Sequence, residues 1–462
     1  MARKWDKLAG ESGLDVPEGR LARLVRMGRL GVSVSASTVA RKVGSVLLPG
    51  DAETRLLGDG VFRTKQAEKI LEVLGQMKGA TMKVGQILSA DPDLLPPEFI
   101  QTLTQLQHQA PPMTWRTVMS QVERAFDRPI ADVFRWFDPE PIGSASIGQV
   151  HRGTLKSGED VAVKVQYPGV AESLESDLSN LASMLNLGRV LVDRRRLDDY
   201  LSEVRRAIIA EADYEAEGRN LDRFSMILSE RPGVRAPLHF PEWTRPTVLT
   251  MEYVAGEKLD TALAAMSDET QRTALLMRFI ETYVWMFHEH LELHADPHPG
   301  NFIVDDEGDL VILDFGCVKS CDPAFADGVL DIMDACWQHD DERVARLYRE
   351  LGFGRNNPDP SIFDPRLLRA YHEIALAPFL RNEPFDFAAW DLRRQMQGFV
   401  VEHPVFLKLV PPAEGLLVFR VMSGIKGLLH KSGARINVHE MAVETARRRG
   451  RLTGPPRLSP KP

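Results

Sequence analysis

His294-Ala-Asp-Pro-His-Pro-Gly-Asn301, followed by Val311-Ile-Leu-Asp314-Phe-Gly316, decides how this chain is read. It sets a carboxylate, an amide and a second carboxylate at positions 296, 301 and 314. Asp296 and Asn301 are close enough to share one short loop. Asn301 and Asp314 are separated by enough chain for one β-hairpin to bring the backbone back to the same point. An Asp that orients a hydroxyl or water, with an Asn and an Asp that hold magnesium on a triphosphate, is the working set of phosphoryl transfer. Asp-Phe-Gly alone is common by chance; joined to this loop at this spacing it is a specific signal. The weaker reading is a turn capped by Asp and Asn, with Pro and Gly for geometry.

Such a site needs an upstream cation, and residues 142–164 provide one. Val150 to Leu155 and Asp160 to Val165 alternate as β-strands, joined by Lys156-Ser-Gly-Glu159 as a hairpin turn. Gly143 and Gly148 bracket a loop, Gly143-Ser144-Ala145-Ser146-Ile147-Gly148, expected before the first strand, with Val150 just beyond it. Lys164 ends Val-Ala-Val-Lys, where an ammonium reaches the α and β phosphates. Alone it would read as a solvated edge charge. In order with the catalytic loop and Asp-Phe-Gly, it completes a kinase-like set. Glu217, on a helix opening near Leu201, is the candidate partner that fixes Lys164. Thr247 to Val254 reads as a strand running into a hinge. Met251 is expected to line an adenine pocket, and backbone groups of Glu252 and Val254 to bond the base.

The chain has 462 residues, enough for two core-bearing lobes. Its formal charge is −8 and its pI near 5.9, which excludes bulk attraction to nucleic acid. Cys317, Cys321 and Cys336 provide no disulfide framework and suit a reducing cytosol. Cys317, directly after Asp-Phe-Gly, reads as an ordinary small buried residue rather than a reactive thiol. Neither a secretory signal nor an uncharged apolar run of spanning length is visible, so the expected location is cytoplasmic.

The chain reads as five regions. Residues 1–60 are basic and partly helical. Between 19 and 50 they carry Arg20, Arg23, Arg26, Arg29, Arg41 and Lys42 and no acidic residue. Two readings stand equal there: a helix lying on the inner membrane face, or one packed on the protein body with its arginines in water. Residues 61–135 read as a helical extension, broken by Asp91-Pro-Asp-Leu-Leu-Pro-Pro-Glu98. Lys83 and Gln86 share a face of its helix, with Gly85 between them. Residues 136–256 form a small lobe with a helical insert at 168–197, and residues 257–440 a mostly helical large lobe. Residues 441–462, with Arg447-Arg-Arg-Gly-Arg451, are expected to be a loose basic tail.

Lys83-Val-Gly-Gln86 with Leu-Leu-Pro-Pro-Glu98, Gly143-Ser-Ala-Ser-Ile-Gly-Gln-Val-His151, Glu211-x-Asp213-Tyr-x-x-Glu217 and His294 to Asn301 together resemble the UbiB/ADCK (AarF-domain) family of atypical kinases. The resemblance covers about residues 65–320 in order. It implies an α+β fold, bilobal and protein-kinase-like, with a family-specific N-terminal helical extension. It also implies that Lys83, Gly85 and Gln86 belong to a lid helix, that Lys83 pairs with Glu211 in the Glu211–Asp213 segment, and that an Ala-rich loop replaces the usual Gly-rich phosphate lid. This chain departs from the pattern with Gly143-Ser144 where alanines are more usual. The family's role resembles that of factors for isoprenoid-quinone (ubiquinone) synthesis and lipid homeostasis, which implies a lipid or quinone-precursor ligand.

The expected mechanism uses ATP and magnesium. Asp314 and Asn301 hold the metal, Lys164 neutralises the phosphates, and Asp296 orients the attacking oxygen. His298 occupies the position where Ser/Thr kinases usually place Lys, and no Ala-Pro-Glu comes after Asp-Phe-Gly. Both features argue against a peptide acceptor. An ATPase or small-molecule kinase is therefore the leading expectation. A non-catalytic ATP-sensing scaffold for a lipid pathway and a protein kinase or antibiotic-type phosphotransferase remain as alternatives.

Overall fold

Apolar residues recur at Trp115, Val118, Val122 and Phe126, three to four apart, and form the buried stripe of helix α1 (Trp115–Phe126). Thr114 caps its start by accepting from the Thr117 N–H, and Asp127 ends it in the left-handed region at φ 51°. In this computed structural model the described residues are 112–145, 147–170, 209, 212–354, 357 and 359–457. The 19–50 segment, Lys83, Gly85, Gln86, Ser146, Glu211 and most of the 168–197 insert lie outside them. The chain divides into two compact units: the residues up to Asn220 with Leu238–Tyr253, and Leu221–Pro237 with Val254 onward.

The first unit is built on a four-stranded antiparallel sheet. Helix α2 (Ile130–Val133) leads into β1 (Phe134–Ala145), β2 (Gly148–Leu155) and β3 (Asp160–Gln166). With β5 (Val248–Glu252) these strands run in the order β1-β2-β3-β5. Val161, Val163, Val165 and Val248 pack with α1, Phe134, Phe137 and Leu155 in one core. By the two-residue alternation of a strand, Ala162 and Lys164 then occupy the other face of β3. The β2–β3 hairpin expected from Lys156 to Glu159 is present, with Gly158 at φ 115° in its turn.

Two expectations change here. Gly143, Ser144 and Ala145 are strand residues, paired with Val150, Gln149 and Gly148. The supposed loop before the first strand is thus the tip of the β1–β2 hairpin. The strand was hidden because Asp138-Pro-Glu-Pro141 interrupts its alternation, and the pairing is irregular there. In addition, β1 begins at Phe134, two residues before the expected lobe boundary, and α1 shares its core.

The second unit carries short sheets on a helical body. The far end of α3 (Tyr214–Leu228), whose opening turns belong to the first unit, leads into β4 (Val234–Arg235). β4 joins β6 (Gly256–Lys258), β8 (Phe302–Asp305) and β9 (Leu310–Ile312) in the order β4-β9-β8-β6. β7 (Glu292–His294) pairs with β10 (Val318–Ser320), and β11 (Phe385–Asp386) with β12 (Arg435–Ile436). The longer helices are α4 (Leu259–Ala265), α5 (Glu269–Trp285), α6 (Pro323–Trp337), α7 (Asp341–Glu350), α8 (Pro365–Ala375), α9 (Leu392–Glu402), α10 (Ala413–Lys431) and α11 (His439–Arg448). No helix among the described residues is long and apolar enough to cross a membrane.

The tail expected to be loose is instead fixed through Arg457. Ala442, Val443 and Ala446 place one apolar face of α11 on Leu330, Met333 and Trp337. Arg449 and Arg451 pair with Asp327, Thr453 donates its hydroxyl to the buried Asp334, and the Arg457 N–H bonds the Trp337 carbonyl. Two arginines of the basic run expected to be loose, Arg449 and Arg451, are therefore partners of acidic residues on α6.

His372 of α8 is buried between Tyr348 (2.7 Å to the hydroxyl) and Cys336 (3.3 Å to Sγ), and burial pushes its pKa down to about 3. The folded state keeps this ring neutral while the unfolded chain protonates it near its ordinary value. Stability is thus complete above pH ~6.5 and falls with pH below it, by about 1.4 kcal/mol per unit from this group alone. Urea unfolding at pH 6.5, 5.5 and 4.5 is expected to show a shallower loss for His372→Gln than for the unsubstituted protein; equal slopes would remove the assignment.

Candidate nucleotide and phosphoryl-transfer residues

The register of the first unit's sheet collects most residues singled out for nucleotide binding. Gly143 pairs with Val150, Val150 with Lys164, Ala162 with Met251 and Lys164 with Leu249. Directly paired residues share a face, so Gly143, Val150, Ala162, Lys164 and Met251 lie on the side of the sheet away from α1. Small and aliphatic residues surround Lys164 on that face, with Arg152 beyond them opposite Ala162. Gly148 is required there: a Cβ would stand 2.3 Å from the Val165 carbonyl oxygen and 2.8 Å from the Tyr214 hydroxyl.

Lys164 Nζ donates to both carboxylate oxygens of Glu217 at 2.9 Å, with the side chains 8 % and 1 % exposed. The ammonium also lies 5.0 Å from the centre of the Tyr214 ring. Glu217 holds its place because α3 starts on Asp213, whose side chain accepts from the Ala216 N–H and whose carbonyl accepts from the Glu217 N–H. Asp213 is therefore accounted for as a helix cap. Gly218 comes next on the helix, where a Cβ would meet the His239 ring at 2.4 Å.

Gln149 and His151, which the sequence marks only as members of a motif, form a buried chain of hydrogen bonds. The Met113 N–H donates to Gln149 Oε1 at 2.7 Å. Gln149 Nε2 lies 2.7 Å from His151 Nε2, and His151 Nδ1 lies 2.9 Å from the Asp138 carbonyl. A carbonyl only accepts, so Nδ1 carries the proton and the ring is neutral. Burial lowers its pKa in the same sense. The chain pins β2 to the irregular middle of β1.

At the hinge, the Glu252 N–H is engaged by the Leu238 carbonyl at 2.8 Å and the Tyr253 N–H by the Asp160 carbonyl at 3.1 Å. The Glu252 N–H is therefore already taken within the first unit. Val254, the second residue expected to bond the base, is buried.

The second unit arranges the remaining set around His294. α5 ends in a π-helical turn, Met286–His290, and Leu291 reverses the chain at φ 56° into β7. His294 is fully buried, its Nε2 2.6 Å from the Asp314 carbonyl and its Nδ1 2.8 Å from the Tyr283 hydroxyl. The carbonyl requires the proton on Nε2, so Nδ1 accepts from Tyr283. That phenol stays protonated because burial, with the charges of Asp296 and Cys317, raises its pKa. Tyr283 has no motif around it, and nothing in the sequence marked it.

The hairpin expected between Asn301 and Asp314 is β8–β9, with Phe302 opposite Ile312. Beyond it the Leu313 N–H donates to the Asn301 carbonyl at 2.9 Å, which brings Asp314 beside Asn301. Asn301 Nδ2 donates to the Asp296 carbonyl at 3.2 Å, so its amide oxygen is directed away from that bond. One Asp314 oxygen accepts from the Gly316 N–H at 2.9 Å. The Cys317 carbonyl accepts from the Ala295 N–H at 2.8 Å, joining the two segments next to Asp296. The Asp296 carboxylate lies 3.6 Å from Arg420 of α10, a residue with no sequence motif to mark it.

The model of the ABC1 atypical kinase-like domain matches residues 105–348 of this chain. Caenorhabditis elegans "Atypical kinase coq-8, mitochondrial" is 30 % identical over 441 residues, covering 91 % of this chain and 56 % of that protein. Rattus norvegicus "Atypical kinase COQ8B, mitochondrial" is 29 % identical over 415 residues, 88 % of this chain and 77 % of its own length. The chain thus spans little more than half the length of the nematode relative. Among solved structures, the Rv3197–erythromycin complex from Mycobacterium tuberculosis aligns with a TM-score of 0.60 at 24 % identity, covering 85 % of this chain and 98 % of that one. That likeness establishes the mixed α+β kinase-like fold, with its sheet-bearing N-terminal part and helical C-terminal part. The domain match, over more than half its residues, shows that this chain belongs to the ABC1/UbiB family of atypical kinases.

Proposed function

We propose that this protein binds ATP with magnesium and transfers the terminal phosphoryl group to water or to a small, lipid-related acceptor, in support of isoprenoid-quinone or lipid metabolism. The observation that carries this reading is the buried Lys164–Glu217 pair. A lysine and a glutamate removed from water cost several kcal/mol each before their attraction is counted. Packed only for stability, the two positions would do as well with apolar residues. An ammonium held by a bidentate carboxylate is, however, what neutralises a nucleotide's α and β phosphates.

In this reading Gly143 to Gly148, Val150 and Met251 make the platform for the nucleotide, and Glu252 and Val254 meet the base. Asn301 and Asp314 are the metal ligands. Their donor chemistry fits: magnesium takes hard oxygens, and one or two protein ligands suffice when phosphates and water fill the remaining positions. Bound there, the ion would offset charge on the β and γ phosphates. Asp296 would orient the attacking oxygen and take its proton. The neutral His294, donating to the Asp314 carbonyl, keeps Asp314 in register with the Asp296 loop.

The chain beyond Asp314 favours a small acceptor over a peptide. β10 pairs with β7 immediately, and Asp322 then caps α6, accepting from the Ala324 N–H at 2.8 Å. The segment from Cys317 to Asp322 holds no platform on which an extended peptide would lie. The names of the relatives, atypical kinases with a mitochondrial label, are compatible with the proposal and do not define the acceptor.

Two experiments test the proposal. Lys164→Met strands the Glu217 charge and is expected to cost about 3–5 kcal/mol of stability. Adding Glu217→Met should restore most of the melting temperature without restoring magnesium-dependent ATP turnover; recovery of turnover in the double variant would deny Lys164 a role with the nucleotide. Asp314→Asn keeps the shape but removes the charge, and is expected to lower phosphate release from ATP by about 10²–10³-fold at unchanged melting temperature. Turnover equal to that of the unsubstituted protein would end the metal assignment.

A further inference from the structure

The 294–301 loop is tied near its ends by backbone bonds, from the Ala295 N–H to the Cys317 carbonyl and from the Asn301 N–H to the His298 carbonyl. From Ala295 to Gly300 it is not in a strand, and Pro297 and Pro299 contribute no backbone N–H. Asn301 Nδ2 fixes the Asp296 carbonyl, but that bond leaves the direction of the Asp296 side chain undetermined. A carboxylate meant to aim one oxygen at a reacting atom needs a second constraint.

Helix α10 supplies it. Arg420 is 12 % exposed, and its Nη2 lies 3.6 Å from Asp296 Oδ1, itself on a side chain 16 % exposed. That separation is too long for a hydrogen bond and suits a charge contact. Among the described residues, Asp296 is the carboxylate within ion-pair distance of Arg420. A largely buried guanidinium is costly without such a partner. One turn further along the same face, Gly424 touches the next residue of the loop. A Cβ there would stand 2.5 Å from Pro297 Cγ, an atom of a rigid ring that cannot turn aside. At its far end α10 is tied by Lys431 to Asp260 of α4 at 3.0 Å, and α4 packs on the 299–301 turn. The middle of the helix and, through α4, its C-terminal end therefore bear on the loop, from a position outside residues 105–348 of the domain match.

We propose that α10 is a clamp on the 294–301 loop, with Arg420 as a positioning residue for the Asp296 carboxylate and Gly424 as the contact that lets the helix close on Pro297. The inference deepens the reading of Asp296 as the residue that orients the acceptor oxygen, and rests on it. Asp296 supplies the chemistry; Arg420 restricts where its oxygen points. The loss on removing Arg420 accordingly falls on the reacting step and not on nucleotide affinity.

The test uses the full chain with Arg420→Ala, Arg420→Lys and Gly424→Ala, in two measurements. Magnesium-dependent ATP turnover is expected to fall about tenfold to a hundredfold in kcat for Arg420→Ala, with KM for ATP within about twofold, since a misplaced catalytic group costs roughly this much. Arg420→Lys, which keeps the charge, should recover most of the loss, and Gly424→Ala should reproduce the kcat-selective defect. Hydrogen exchange across residues 294–301 should accelerate in Arg420→Ala and Gly424→Ala and not in Arg420→Lys. Unchanged exchange, a defect shared equally by KM, or a Lys variant as poor as the Ala variant would overturn the clamp. Should the unsubstituted protein turn over no ATP, the reading of Asp296 fails by itself, while the exchange measurement still decides whether α10 holds the loop.

Discussion

A lysine and a glutamate that have lost their water set the terms for the first unit. The effective cost of burying each ion is several kcal/mol, and only near-ideal geometry offsets it. That geometry is over-determined. Strand alternation turns Lys164 away from α1, Asp213 fixes where α3 begins and so where Glu217 projects, and Tyr214 offers its ring to the ammonium. Gly148 leaves room for the Tyr214 hydroxyl, so a methyl group at one glycine would push on the partner of the buried cation. The sheet, the helix start and the glycine are separate features of sequence that meet at one pair of charges.

In the second unit the central group of the candidate set is uncharged. His294 sits at the centre of its set as a neutral ring, and each nitrogen has its role dictated by the neighbour: the Asp314 carbonyl must receive a proton, so the Tyr283 hydroxyl must give one. A neutral hydrogen-bonded ring is cheaper to bury than an ion. It also passes geometry between segments far apart in sequence, because moving the ring would leave either the phenol or the carbonyl without its bond. Asp296 and Asp314 thus keep a fixed relation to each other through a residue that carries no charge.

Much of this was legible in the chain, for identifiable reasons. Lys164, Asp296, Asn301 and Asp314 could be picked out because strands and tight loops impose short, rigid spacings that survive as motifs. The β8–β9 hairpin was expected from the distance between Asn301 and Asp314, and the pairing of Lys164 with Glu217 from the carboxylates on the helix that follows the small-lobe strands. Three things were not legible. The outer half of β1 was masked by two prolines that break its alternation, so a strand was taken for a loop. The order of the tail depends on Asp327 and Asp334, more than a hundred residues away, and a run of arginines does not reveal its partners. Tyr283 reaches His294 from a helix whose buried face looks like any other.

The short connection after Asp-Phe-Gly also limits how activity could be controlled. A switch that orders or melts the segment after Asp314 needs free chain to rearrange. Here Val318 to Ser320 are committed to pairing with β7, the Cys321 N–H is bonded to the Leu291 carbonyl at 2.7 Å, and Asp322 is committed to the cap of α6. Freeing Val318 to Ser320 would break the pairing that holds His294 in β7, and with it the support of the Asp314 carbonyl. The segment cannot move without dismantling the site it would regulate. The element that meets the loop from outside this segment is α10, against Asp296 and Pro297.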